Sequence, residues 1–231
     1  QVPLMVQRRT IGIVGTGNVG VAVAYAIFLQ STANEIILID KNRKKAEGEA
    51  MDLTHGQAFV EKMVVHAGDY ADLSAAQVVI ITAGVAQQPG ESRIDLLNRN
   101  TAVFRDIVSQ LDRHSPNSVL IVATNPVDIL TYITQSLSCR DASFVLGTGT
   151  MLDTGRFRAL IGEYYDVDPR SVHAYILGEH GDSEVPIWSS ADIGGVPIMN
   201  QPLLGRVFDP DTMHRLFLSV RNAAYEIIDR K

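Results

Sequence analysis

Gly15-Thr16-Gly17-Asn18-Val19-Gly20 is the stretch that decides the fold of this 231-residue chain. It follows a short apolar run, Ile11 to Val14, which predicts a buried β-strand. It opens a segment of small and apolar residues, Asn18 to Gln30, which predicts a helix packed closely on a sheet. A second apolar run, Glu35 to Asp40, ends in an acid about 20 residues beyond the turn, and the whole pattern is the fingerprint of a dinucleotide-binding βαβ unit.

The glycines of this turn have separate roles in the predicted unit. Gly15 allows the tight turn after the strand, and Gly20 lets the helix pack closely on the strand. Gly17 lets the backbone N–H groups at the start of the helix, where Asn18 and Val19 lie, approach a pyrophosphate at the positive end of the helix. The turn therefore predicts binding of a dinucleotide.

Asp40 indicates which dinucleotide is bound. Its carboxylate can accept hydrogen bonds from the adenine ribose and would repel the 2′-phosphate of NADP, which favours NAD. Lys41, Arg43, Lys44 and Lys45 follow immediately, however, and a basic run is also compatible with a phosphate. We therefore predict NAD and leave NADP open.

The first 147 residues continue the alternation of short apolar runs and helical patterns, which predicts a parallel sheet with helices on both faces. The further predicted elements are a helix from Lys41 to Gln57, strands from Met63 to His66 and Gln77 to Thr82, a helix from Ile94 to His114, a strand from Ser118 to Val122, a helix from Pro126 to Leu137 and a strand from Phe144 to Leu146. We predict a doubly wound, Rossmann-type α/β domain over residues 1–147. Residues 148–231 are less regular and richer in Pro and Gly, and they predict a second domain.

Composition excludes several classes of function. The net charge of −6 gives no basic surface for nucleic acid, and no stretch approaches the roughly 20 apolar residues of a membrane span. The single cysteine, Cys139, permits no internal disulfide, and the first residues of this sequence do not pair basic residues with an apolar signal segment. Together these features favour a cytoplasmic protein. The six histidines show no ligand spacing, so no metal site is predicted. Small-molecule chemistry is the class that remains.

The two ends of the chain suggest a piece of a longer protein. The chain begins at Gln1, and it ends at Lys231 within a helical pattern that carries no Gly or Asn stop signal. We therefore expect the second domain to lack its C-terminal part.

Four further motifs carry a resemblance to a known family. They are Gly90-Glu91-Ser92-Arg93, Asn125-Pro126-Val127-Asp128, Leu152-Asp153-Thr154-Gly155-Arg156-Phe157-Arg158 and Gly178-Glu179-His180-Gly181-Asp182-Ser183-Glu184. In this order, and over the whole chain, the sequence resembles the lactate/malate dehydrogenase family. The resemblance implies NAD-dependent oxidation of an L-2-hydroxy acid. It also implies two domains: a Rossmann domain over residues 1–147 and an incomplete α+β substrate domain over residues 148–231.

The chemistry of that family calls for a few side chains of defined type. Hydride transfer to a ketone leaves an alkoxide, so the site needs a proton donor, a charge stabiliser and an anchor for the substrate carboxylate. The resemblance assigns acid/base catalysis to His180 and its orientation to Asp153. It assigns polarisation of the carbonyl to Arg93, on a loop that closes over the substrate, and binding of the substrate carboxylate to Arg156, whose planar guanidinium can donate two parallel hydrogen bonds.

The resemblance also implies contacts around the nicotinamide. Asn125 matches a side chain that orients the substrate and the histidine beside the cofactor. Thr82, Ala83 and Gly84, at the end of the fourth predicted strand, match positions that contact NAD.

Gln87 indicates the substrate. In the family this position, six residues before the loop arginine, separates malate from lactate enzymes. A malate enzyme is expected to carry an arginine that pairs with the second carboxylate of oxaloacetate, and a neutral amide cannot do so. Glu91 would repel a dianion. Pyruvate and L-lactate are therefore the expected substrate pair, and the alternatives are a malate or other L-2-hydroxy-acid dehydrogenase, or a non-catalytic NAD-binding module if the missing segment is essential.

Arg158 and His173 indicate regulation. They match the two positions at which allosteric bacterial members of the family hold fructose 1,6-bisphosphate across a subunit interface. Two cations suit a phosphate group, so the resemblance implies an allosteric homotetramer. The alternative is that Arg158 forms a surface ion pair and His173 is an ordinary strand residue.

Overall fold

We describe the protein from a computed structural model over residues 8–85, 90 and 92–230, without the side chain of Arg93. The chain divides into two compact units, with the boundary between Gly147 and Thr148. None of the helices in these ranges combines the length and the apolar character needed to cross a bilayer.

The first unit is built on a six-stranded parallel sheet. Its strands are β1 (Thr10–Val14), β2 (Glu35–Ile39), β3 (Val64–Ala67), β4 (Val78–Ile81), β5 (Val119–Val122) and β6 (Val145–Gly147). The spatial order is β3-β2-β1-β4-β5-β6, so the direction of winding reverses between β1 and β4. Ligands of such sheets bind in the crevice beyond the carboxyl ends of the strands at this point. The predicted doubly wound α/β fold is confirmed.

The helices of this unit are α1 (Asn18–Gln30), α2 (Arg43–His55), α3 (Arg93–His114) and α4 (Val127–Leu137). Successive residues of a strand point to opposite faces, and β2 shows the consequence. Ile36 and Leu38 belong to an apolar cluster that includes residues of α1 and α2. Ile37 and Ile39 belong to a second cluster, which includes residues of α3 and α4. Burial on both faces explains why these strands are continuous apolar runs rather than alternating ones.

The bounds predicted for the second helix were wrong at both ends. The helix begins at Arg43 rather than Lys41, because the Asn42 side chain accepts a hydrogen bond from the Lys45 N–H and so caps the first turn. It ends at His55, and Gln57 lies in a short 3₁₀ turn instead.

The second unit is a small α+β structure. It contains α5 (Met151–Tyr165), α6 (Pro210–Asp229) and five two-residue strands: β7 (Val172–His173), β8 (Ile176–Leu177), β9 (Val185–Pro186), β10 (Asp192–Ile193) and β11 (Val196–Pro197). β11, β10 and β7 form an antiparallel sheet, and β8 pairs with β9. The core joins Phe157 and Ile161 of α5 to Met213, Phe217 and Val220 of α6. The same core includes Val172 of β7, Ile176 of β8 and Ile193 of β10, so both helices pack against the short strands.

Candidate functional site: a nucleotide cleft and a histidine–carboxylate cluster

A cavity of about 880 Å³ opens at the carboxyl ends of β1, β2 and β4 in the first unit. Such a position is the expected one for a ligand of a doubly wound sheet. Six of the residues predicted to bind the cofactor line it: Gly15, Gly17, Asp40, Thr82, Ala83 and Gly84. The sequence motif and the cavity therefore coincide.

The three glycines of the turn are required for different physical reasons. Gly15 has a φ of +103°, and a Cβ on it would lie 2.5 Å from the Ala83 nitrogen. A Cβ on Gly20 would overlap the Gly15 carbonyl oxygen. A Cβ on Gly17 would meet no protein atom of the described residues within 4 Å. Gly15 and Gly20 thus serve the backbone, whereas Gly17 keeps open the space that a pyrophosphate would occupy.

The start of α1 is free to face an anion. Its N-cap residue, Gly17, supplies no side-chain hydrogen bond, and the next two residues, Asn18 and Val19, are exposed. The first N–H groups of a helix have no partner within the helix and carry its positive dipole end. The donors at this end of α1 therefore fit a bound pyrophosphate.

Asp40 lies directly after β2 and is held by the neighbouring backbone. One carboxylate oxygen accepts hydrogen bonds from the Thr16 N–H at 2.8 Å and the Thr16 hydroxyl at 2.9 Å, and the other accepts from the Asn42 N–H at 2.9 Å. Burial raises the pKa of the Asp40 carboxyl, but these hydrogen bonds outweigh it and hold the pKa below its ordinary value. A fixed negative charge at this wall of the cavity disfavours a 2′-phosphate.

The basic run after Asp40 does not present all of its charge to the cleft. The guanidinium of Arg43 pairs with Asp69 at 2.8 Å and with Glu47 at 3.1 Å. Lys41 and Lys45 do line the cavity. Because the arginine, the side chain best suited to a phosphate, is already engaged by two carboxylates, the arrangement is better matched to NAD than to NADP.

In the second unit, the loop after β8 brings His180 to Asp153 and Arg156, which lie three residues apart on α5. Asp153 is only 3% exposed. One of its carboxylate oxygens lies 2.5 Å from His180 Nδ1, and the other accepts a hydrogen bond from Arg156 Nη1 at 3.1 Å. A carboxylate that engages Nδ1 leaves Nε2 of the same ring as the nitrogen for proton exchange with a ligand.

Backbone-directed hydrogen bonds on either side of Asp153 fix this arrangement. The Thr150 hydroxyl donates to the Ile176 carbonyl at 2.7 Å, and the Ile176 N–H donates to the Thr154 hydroxyl at 3.0 Å. These bonds attach the first turn of α5 to β8, which leads into the loop that carries His180. No sequence pattern pointed to a role for Thr150 or Thr154, because their common partner, Ile176, lies more than twenty residues away.

Comparison with known proteins now identifies the family. Residues 9–147 match the model of the lactate/malate dehydrogenase NAD-binding domain, and residues 150–231 match that of the lactate/malate dehydrogenase α/β C-terminal domain. This chain belongs to the lactate/malate dehydrogenase family. NAD is therefore its cofactor, and the cleft in the first unit fits it.

Individual relatives agree with the family model. The chain is 60% identical over 228 residues to an L-lactate dehydrogenase of Salinibacter ruber, covering 98% of this chain and 72% of that protein. It is 50% identical over 220 residues to an L-lactate dehydrogenase of Gloeobacter violaceus, covering 95% of this chain and 67% of that protein.

A solved structure shows the same likeness. The crystal structure of the minor L-lactate dehydrogenase from Enterococcus mundtii in its ligands-bound form matches with a TM-score of 0.92 and 50% identity, covering 97% of this chain and 72% of that chain.

Of the other residues to which the resemblance assigns roles, some lie within the described residues and some do not. Asn125 is exposed between β5 and α4, at the same carboxyl edge of the sheet as the cleft. Arg93 is the first residue of α3, and its side chain is outside the description; Gln87 lies outside the described residues. Arg158 is half-buried on α5, and His173 is exposed on β7.

One side chain at the cluster has no role assigned from the sequence. Glu184 is 6% exposed, and its Oε1 accepts no hydrogen bond from any described residue. Burial raises the pKa of Glu184 and the negative charge of Asp153 raises it further, while His180, Arg221 and Arg156 act in the opposite direction. In the sequence, only the position of Glu184 in the motif around His180 could have pointed to a role. A sequence pattern does not show that a single acidic side chain is buried.

Proposed function

We propose that the chain interconverts pyruvate and L-lactate with NADH and NAD as the redox pair. The observation that carries this proposal is the contact of His180 with a buried Asp153 that also holds Arg156, because a proton donor and a carboxylate anchor are then tied to one acid. The L-lactate dehydrogenases among the relatives support the same reaction.

The proposed chemistry divides the work among few groups. When bound, the nicotinamide supplies the hydride in reduction and takes it back in oxidation. His180 Nε2 holds the proton that passes to the carbonyl oxygen of pyruvate, and it receives the hydroxyl proton of L-lactate in the reverse direction. Asp153 fixes the orientation of the ring through Nδ1 and stabilises the imidazolium.

Arg156 is the proposed anchor of the substrate carboxylate. Its guanidinium spends one Nη1 hydrogen bond on Asp153, which leaves further donors of the planar fork for a ligand. The contact with Asp153 also fixes the anchor relative to the proton donor, since both groups are bound to the same carboxylate.

The further assignments complete the proposal. Residues 1–147 form the NAD-binding domain and residues 148–231 a part of the substrate domain. Within the first, Arg93 polarises the substrate carbonyl, and Asn125 orients the substrate beside the nicotinamide. Gln87 selects pyruvate over oxaloacetate, because a neutral amide does not neutralise a second carboxylate.

The proposal extends to the regulation and assembly of the enzyme. Arg158 and His173 bind fructose 1,6-bisphosphate at an interface of a homotetramer, and the enzyme works in cytoplasmic glycolysis. Both side chains belong to the unit that contains His180, and α5, which carries Arg158, also carries Asp153 and Arg156. An effector that orders α5 would therefore act on the substrate anchor directly.

The test follows NADH absorbance with pyruvate and with oxaloacetate in parallel, each with and without fructose 1,6-bisphosphate. Faster turnover of pyruvate is expected, with an effector-dependent fall in the KM for pyruvate. A preference for oxaloacetate would favour the malate alternative and remove the role of Gln87. Binding of NADH without turnover of either keto acid would favour the non-catalytic module.

A further inference from the structure

Glu184 is a buried acid in the loop that carries His180. Its N–H donates to the Gly181 carbonyl at 3.2 Å, which closes a tight turn, and it immediately precedes β9. The turn fixes the backbone of Glu184 only a few residues from the proton donor. A buried carboxylate oxygen without a hydrogen-bond donor is costly, so its retention here calls for an explanation.

Charged groups on two helices and on its own loop act on Glu184. Asp153 and Arg156 approach from α5, His180 from its own loop and Arg221 from α6. One ligand atom from each of Glu184, Asp153 and His180 lies within 4.8 Å of the other two. The two carboxylates and the two guanidiniums balance, so the proton on the imidazole decides the sign of the cluster.

The same three side chains could be considered as ligands for a divalent cation, since each offers a suitable atom. Two observations make a metal the weaker interpretation. His180 Nδ1 and Asp153 already face each other at hydrogen-bonding distance, and the guanidiniums of Arg156 and Arg221 would repel a cation.

We propose that Glu184 is a positioning residue whose negative charge strengthens His180 as a proton acceptor. It touches neither the substrate nor the nicotinamide in this scheme, and it acts only through the imidazole. An imidazolium beside Glu184 and Asp153 is favoured by two carboxylates, whereas an imidazole that has given up its proton leaves both carboxylates in a poorly solvated space. Proton uptake by His180 and ionisation of Glu184 are therefore coupled.

The test replaces Glu184 by glutamine, which has the same shape and no charge. The titration of the His180 ring is followed by NMR in the free protein, and a His180→Asn variant assigns the signal among the six histidines. In Glu184→Gln the His180 midpoint is expected to fall by about one pH unit, because the lost carboxylate no longer stabilises the imidazolium. The upper pH limit of pyruvate reduction, which requires the protonated ring, should fall with it.

The matched control is Glu179→Gln. Glu179 is adjacent to His180 and exposed, and its carboxylate accepts a hydrogen bond from the Ser183 hydroxyl. Glu179→Gln therefore removes the same charge as Glu184→Gln, but at a position where water screens it. Its effect on the midpoint should be small. A second variant, Glu184→Asp, keeps the charge and should keep most of the wild-type midpoint. The proposal is overturned if Glu184→Gln moves the midpoint no further than Glu179→Gln does.

The inference depends on the proposed function only for its kinetic readout. If the NMR midpoint falls in Glu184→Gln but the wild type reduces no keto acid, the role of Glu184 stands and the proposed function fails. If the wild type reduces pyruvate but the midpoints of wild type and Glu184→Gln coincide, the function stands and the role of Glu184 fails.

Discussion

The cleft of the first unit and the cluster of the second solve their chemical problems with different parts of the chain. In the cleft the important groups are backbone groups: the open N–H donors at the start of α1, the turn at Gly15 and the N–H groups that hold Asp40. In the cluster they are ionisable side chains, and the carboxylates of Asp153 and Glu184 are nearly inaccessible to water. Backbone recognition tolerates water, whereas a proton donor is tuned by excluding it.

This difference makes the two regions vulnerable to different substitutions. Removing the proton donor of the cluster should abolish chemistry, and removing a neighbouring charge should shift its pH dependence, while the fold and nucleotide binding survive. A change of one methyl group in the cleft should affect binding and stability without altering any charge.

The largest effect is expected from His180→Asn. Removing a general acid/base typically costs about 10²- to 10⁴-fold in rate, and the nucleotide cleft, which is built from the other unit, should be unchanged. Steady-state rates of pyruvate reduction together with NADH binding by fluorescence would measure both quantities. The control is His66→Gln, a half-exposed histidine on β3, which should retain turnover. Equal losses of rate and of NADH affinity would show that His180 is structural.

Two glycines of one turn should separate stability from binding in the cleft. In Gly20→Ala the new methyl group overlaps the Gly15 carbonyl and approaches the Thr82 hydroxyl, so we expect a loss of about 1–3 kcal/mol of stability, with weaker NADH binding. In Gly17→Ala the methyl group enters open space in the cavity, so stability should stay within about 0.5 kcal/mol while NADH affinity falls roughly tenfold.

Denaturant unfolding and NADH titration would test this pair of variants. Gly48→Ala is the control, because Gly48 lies within α2 and a methyl group there meets no described atom within 4 Å. It should stabilise the protein by roughly 0.5–1 kcal/mol and leave NADH binding unchanged. If Gly17→Ala binds NADH as tightly as the wild type does, the pyrophosphate does not approach this turn.

The same contrast explains how much the sequence could predict. The strand–turn–helix pattern placed α1 at Asn18–Gln30, as observed, because glycine spacing and apolar periodicity are local properties. The predicted start of the second helix was wrong because it depends on a single hydrogen bond, from the Lys45 N–H to the Asn42 side chain. The strands of the second unit, two residues each, are too short to show alternation.

The cluster shows the limit of prediction more sharply. His180, Asp153 and Arg156 were found through a family resemblance, and the structure brings them into contact. Glu184 stood in the same motif without a role, because its significance comes from its burial and from charged residues of α5 and α6 that act on it. Charge and burial that arise from segments distant in sequence are not local properties, and only the folded unit displays them.

A smaller effect is expected from Asp40→Asn, which removes the charge at the ribose end of the cleft and keeps its shape. The 2′-phosphate of NADPH should then meet less repulsion, so the preference for NADH over NADPH should narrow by about tenfold. The ratio of kcat/KM for the two cofactors measures it, with Asp69→Asn as a comparison that removes one of the two carboxylates that pair with Arg43 instead. An unchanged ratio in Asp40→Asn would mean that the carboxylate does not govern the choice.

The smallest effect concerns the dependence of stability on pH. The pKa of Glu184 in the folded protein is raised above its ordinary value of 4.5 by burial and then by Asp153. Folding thus favours the protonated form of Glu184, which adds to the free energy of unfolding. This stabilisation is fully present below the ordinary pKa and is lost as pH rises through the folded pKa. Glu184→Gln has no such proton to lose. The melting temperature of Glu184→Gln minus that of the wild type should therefore increase as the pH rises from 4.5 to values above the folded pKa. For Glu179→Gln this difference should stay constant. A constant difference for Glu184→Gln as well would mean that folding leaves the pKa of Glu184 unchanged, because the positive charges of the cluster offset the effect of burial.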